Sequence, residues 1–149
     1  MGRNIYHVGE THGMGEGVKI AHNLVAGVSL VAIAEALVLA GKLGVDGRMM
    51  LDVIVHGAAD CWMARNVAPR MVERRFDDPA AQLALFVKDL GAAVTAGNEL
   101  TLPLPVATAA YQMMQMGAAA GLSAEDDSAV VKVYETIAGI SLAGGQSDG

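Results

Sequence analysis

Two polar side chains stand at the start of a long apolar run. Lys19 and Asn23 lie four residues apart, a spacing that puts them on one face of a helix, one turn from each other. A lysine ammonium can hand a proton to a substrate oxygen and take it back. A carboxamide one turn along both donates and accepts hydrogen bonds. Together the pair could polarise a carbonyl oxygen and hold a polar substrate. The same spacing also fits a solvated helix end, and spacing alone does not choose between the two. Lys88-Asp89 falls inside another apolar stretch, where a surface ion pair is the default reading.

Other candidate chemistry is weaker. The loop before Lys19 carries Gly9, Gly13, Gly15 and Gly17. A phosphate loop needs Gly-Lys-Ser/Thr in succession, whereas here Val18 precedes Lys19 and Ile20 follows it. The dinucleotide spacing is also missing, so these glycines are read as letting backbone pack closely where a helix begins. His7, His12 and His22 have no four-residue helical spacing among them and no neighbouring cysteine or paired carboxylates, so no metal site is expected. The nine methionines suit core filling.

These side chains need a scaffold, and the composition says which kind. The 149 residues are enough for one domain with a sizeable core. Hydrophobic residues make up 53% and aromatic ones only 4%, so the apolar content is Ala, Val, Leu, Ile and Met. Ala, Leu and Met favour helix. Ten basic against sixteen acidic residues give a net charge of −6, and no basic run could neutralise a row of phosphates, which argues against nucleic acid. The single Cys61 leaves no internal disulfide, and a reducing, cytoplasmic setting is expected. Residues 1–10 are polar and do not read as a signal peptide. Residues 24–41 carry Glu35 as their only charge. A buried central helix is expected there, not a membrane span.

Punctuation divides the chain into six helices with no persistent period of two, an all-α domain built around one long, largely buried N-terminal helix. The first runs over 14–42 without proline and stops at Gly41/Gly44. Asp46 can cap a second over 47–56. A third is expected over 59–74. Asp78-Pro79 reads as N-cap and first helical residue of a fourth, ending near Gly97. Residues 101–105 form a proline-bounded turn, and Pro105 opens a fifth helix that ends near 117–121. Ser123 with Asp126 is read as a capping box for a sixth, ending near Gly139. Residues 144–149 read as a frayed tail.

Gly13-Met14-Gly15 followed by Lys19-Ile20-Ala21-His22-Asn23 resembles the motif that opens the second domain of β-hydroxyacid dehydrogenases. In that motif a Gly-x-Gly precedes Lys-x-x-Asn-Asn, and here His22 takes the place of the first Asn. Phe86-Val87-Lys88-Asp89-Leu90-Gly91 is similar to the family's Lys-Asp-Leu segment. Leu102-Pro103-Leu104 is similar to its Leu-Pro turn, and Asp127-Ser128-Ala129 to the approach to its last helix. Cys61-Trp62-Met63, with Asn66, Pro69 and Met71, is similar to the branch acting on four-carbon sugar acids such as threonate.

The resemblance implies roles. Lys19 would be the catalytic lysine, Asn23 would bind substrate, and Lys88 would reach the cofactor, NAD or NADP. The substrate would be a small hydroxy acid, and two copies would pair as a dimer. Residues 1–13 would end an interdomain linker and 14–143 would form the helical substrate and dimerisation domain. The dinucleotide-binding domain would lie outside this chain, leaving the chain by itself inactive. A free-standing helical interaction module is the alternative, and an in-frame dinucleotide-binding domain upstream would decide against it.

Overall fold

A computed structural model of the chain describes Gly9 and residues 13–143. Most of the expected linker at residues 1–13, His7, His12 and the tail at 144–149 lie outside the described residues.

The described residues are all-helical, in seven α-helical segments and one 3-10 turn. Helix α1, Met14–Lys42, has 29 residues and begins after Gly13, whose φ of 92° few residues other than glycine tolerate. At 1.5 Å per residue it is about 43 Å long. Its buried positions, from Gly27 through Leu30, Ala34 and Leu37 to Ala40, recur every three or four residues. Residues 13–19 stand in solvent, so burial belongs to the second half of the helix and Lys19 to the open half. Glu35 stays on the exposed side, where the Tyr134 hydroxyl donates to its Oε2 at 3.4 Å. Length and composition would let α1 cross a membrane. Here 44% of its most apolar window is buried against other helices.

Helix α2 spans Gly47–His56. Asp46 caps it as expected, its Oδ1 accepting the amides of Arg48 (2.9 Å) and Met49 (3.1 Å). The third expected helix is present as two five-residue pieces, α3 (Trp62–Asn66) and α4 (Pro69–Glu73). Pro69 has no N–H to continue the ladder, and the Ala68 amide reaches back to the Met63 carbonyl instead. Counting this broken pair as one unit gives the six units read from the sequence.

Helix α5, Leu83–Glu99, starts later than Asp78-Pro79 suggested. The intervening residues are held out of helix by the chain near 123–127. The Leu83 amide donates to the Glu125 carbonyl, Ala84 to Ser123, and Asp127 to Ala81. Gln82 and Asp126 form a single antiparallel bridge. Helix α6, Pro105–Ala119, begins at its proline as expected. The expected capping box is corrected in the same region. Ser123 is engaged through its carbonyl by Ala84. Asp126 alone caps the 3-10 turn Asp127–Val130, which leads into α7, Val131–Ala138.

The core lies along the second half of α1, where α5, α6 and α7 pack around it. Leu30, Leu37, Leu83, Leu90, Met114 and Val131 are wholly buried, each contributing about 1.5–3 kcal/mol of hydrophobic stabilisation.

Candidate functional site

A glycine decides how close α1 and α5 come. A Cβ built on Gly27 would meet Leu90 and Phe86 side-chain atoms at 3.0 Å. Without one, α5 settles directly on α1. Asn23 is one turn before Gly27 on that same face, and Asp89 is one residue before Leu90. The close approach therefore brings the two polar side chains together. Asn23 Nδ2 donates to Asp89 Oδ2 at 2.9 Å, and Lys88 Nζ lies 3.4 Å from Asp89 Oδ1. His22 Nδ1 sits 3.2 Å from Asn23 Oδ1 and donates to it when that nitrogen carries the proton.

Two of the sequence-predicted residues, Asn23 and Lys88, are thus joined through Asp89. Lys88 itself is 68% exposed while Asp89 is 13% exposed. The doublet is a surface ion pair only on its lysine side. Asp89 is spent on orienting Asn23. Lys19 lies one turn before Asn23, on the exposed end of α1. Among the described residues it has no ion pair within 4 Å, and it is exposed to solvent.

Beside this pair lies a cavity of about 610 Å³ between α1, α3 and α5. Asn23, Ala26, Trp62, Asn66, Phe86 and Asp89 line one part of it. Trp62 lines it while remaining 68% exposed. Arg70, Asp126 and Asp127 form the inner end. Asp126 is the organiser there. Its Oδ2 accepts the Ala80 amide at 3.0 Å, and its Oδ1 accepts the Ser128 amide at 3.1 Å and the Ser128 hydroxyl at 2.5 Å. Arg70 Nε is 2.9 Å from Asp126 Oδ2, yet its N–H does not point along that line. The two are an ion pair without a directed hydrogen bond at Nε. Burial, and after it the charge of Asp126, push the Asp127 carboxyl up to about 7.

Asp89, Trp62 and the Arg70–Asp126–Asp127 group were not singled out as site residues from sequence. The signals available were a carboxylate inside an apolar helix, and two consecutive aspartates leading into Ser-Ala-Val-Val. Neither says what the residue faces. Among the described residues, no three His, Cys, Asp or Glu side chains gather as a metal site would require.

Comparison with known proteins gives a consistent result. The family described as NAD-binding of NADP-dependent 3-hydroxyisobutyrate dehydrogenase matches residues 13–134. An L-threonate dehydrogenase of Cupriavidus necator is 41% identical over 140 residues, 94% of this chain and 46% of the relative. A 2-(hydroxymethyl)glutarate dehydrogenase of Eubacterium barkeri is 38% identical, over 98% of this chain and 48% of the relative. A crystal structure of 3-hydroxyisobutyrate dehydrogenase from Salmonella typhimurium superposes with a TM-score of 0.84 at 40% identity, covering 87% of this chain and 45% of that one. The chain spans about half the length of the relatives it matches.

Proposed function

This chain belongs to the family of NAD-binding domains of NADP-dependent 3-hydroxyisobutyrate dehydrogenase, and on that premise we propose that it supplies the lysine-bearing wall of a hydroxy-acid dehydrogenase cleft. The observation that carries the reading is the Asn23–Asp89–Lys88 chain of contacts, assembled next to Lys19 from helices far apart in sequence.

In this reading the substrate is a small hydroxy acid, the class named by the relatives. Asn23, held in one rotamer by Asp89, presents its free amide capacity to the substrate. Lys19 exchanges a proton with the substrate hydroxyl or carbonyl oxygen, which is general acid–base work. The exposed Lys88 ammonium suits the phosphates of NAD or NADP, with Asp89 steering it. The nicotinamide, when bound, supplies the hydride chemistry. The second wall comes from a dinucleotide-binding domain, with residues 1–13 as the end of the linker to it and 14–143 as the helical domain. Exposed Leu39, Leu43, Met49 and Val53 support pairing with a second copy, most simply as a symmetric dimer. The cytoplasm is the setting that fits a free cysteine and a nicotinamide cofactor.

The test is Lys19→Ala in the enzyme that unites this domain with its cofactor domain. Turnover is expected to fall by a factor on the order of a hundred or more, with the helical circular dichroism spectrum unchanged. Near-normal turnover would remove Lys19 from the chemistry.

A further inference from the structure

The inner end of the cavity is not used by the proton-transfer scheme, and its polar groups are incompletely satisfied. Asp126 is committed to Ala80, Ser128 and Arg70. Asp127 is not. It is only 4% exposed, and it lines the cavity. Among the hydrogen bonds of the described residues none ends on its carboxyl, because the Ser128 amide and hydroxyl both go to Asp126. Arg70 Nε is the buried side-chain nitrogen without a hydrogen-bond partner among the described residues. Buried polar groups are normally paired, and leaving one unpaired is costly. The Arg70 nitrogen lies at the same end of the cavity as the Asp127 carboxyl, which indicates a polar ligand group there.

The chemistry of this end selects the ligand group. A second carboxylate would sit against Asp126 and Asp127, with the Arg70 guanidinium already paired to Asp126. A methyl group would leave Asp127 buried and unpaired. A hydroxyl suits both forms of Asp127, since it accepts from the protonated acid and donates to the carboxylate. Burial first, then the Asp126 charge, push Asp127 up to about 7, with the Arg70 charge tempering the shift. Both forms are therefore accessible near neutrality.

We propose that Asp127, backed by Arg70, is a specificity-determining residue that receives the hydroxyl-bearing tail of a polyhydroxylated acid whose reacting carbon lies toward Asn23 and Lys19. The proposal rests on the reading of this chain as part of a hydroxy-acid dehydrogenase. It names which hydroxy acids that enzyme prefers: those with a hydroxyl at the far end over those ending in a methyl group or a second carboxylate.

The experiment compares kcat/KM for L-threonate and for 3-hydroxyisobutyrate in the complete enzyme. The wild type should prefer L-threonate. Asp127→Ala and Asp127→Leu should each lower the threonate-to-hydroxyisobutyrate ratio about tenfold or more, because a site built to bond a hydroxyl loses its discrimination with the bond. Asp127→Asn, which keeps a neutral donor and acceptor, should hold most of the ratio. Asp127→Ala guards against a leucine variant that fails to fold. A ratio that stays at the wild-type value in the alanine variant would overturn the inference alone. So would a wild type that turns over 3-hydroxyisobutyrate and not L-threonate. A wild type inert toward hydroxy acids with either nicotinamide cofactor would overturn the functional reading, and this inference with it.

Discussion

At the scale of single residues, Asp127 makes the sharpest demand on the account. Its carboxyl moves from an ordinary 3.8 to about 7 on folding. The native state therefore keeps a proton that the unfolded chain has already released. The stability this confers is complete below about pH 3.8 and is lost as pH rises to about 7. Asp127→Asn removes that loss. Urea midpoints of the two proteins should therefore diverge as pH rises across this window, with the wild type falling relative to the variant. A difference that stays constant with pH would contradict the assignment. Sequence could show Lys19 and Asn23 because they are neighbours on one helix, where spacing decides the face. It could not show that Asp89 holds Asn23, since the two are 66 positions apart and meet only because Gly27 lets α5 close on α1. The Arg70–Asp126 pair was hidden for the same reason.

At the scale of elements, local signals were readable where local chemistry sets the boundary. The Asp46 cap, the Pro105 start and the proline-free run of α1 each appear where sequence puts them. The start of α5 was misplaced because Asp78-Pro79 is overridden by long-range bonds from residues 123–127. The same segment explains why Ser123 does not act as a cap. Close packing at Gly97 offers an element-scale test. A Cβ there would lie 2.7 Å from Leu104 Cδ1 and 2.9 Å from the Leu102 carbonyl oxygen. That carbonyl cannot swing away freely, because the Leu102 amide is bonded to Gly97 O at 2.8 Å. Gly→Ala inside a helix gains about 1 kcal/mol of propensity, while overpacking costs about 1–3 kcal/mol. With a backbone atom in the clash the cost prevails. Gly97→Ala should lose about 1–2 kcal/mol net in chemical denaturation, and a variant as stable as wild type would refute the packing argument.

At the scale of the whole molecule, the proposed cleft has only one of its walls in these helices. Lys19 and Lys88 face solvent, Trp62 lies open, and the cavity is lined from α1, α3, α4 and α5. Hydride transfer needs donor and acceptor carbons held in near-contact, and no strand–loop–helix turn that could cradle a pyrophosphate occurs among the described residues. The most direct measurement is L-threonate-dependent formation of NADH or NADPH. It would be made side by side on the isolated 149-residue chain and on the same chain joined to a dinucleotide-binding domain of its relatives. The account predicts turnover in the joined protein and none in the isolated chain, with cofactor affinity of the isolated chain no tighter than about millimolar. Turnover by the isolated chain, or a folded joined protein inert toward hydroxy acids, would contradict it.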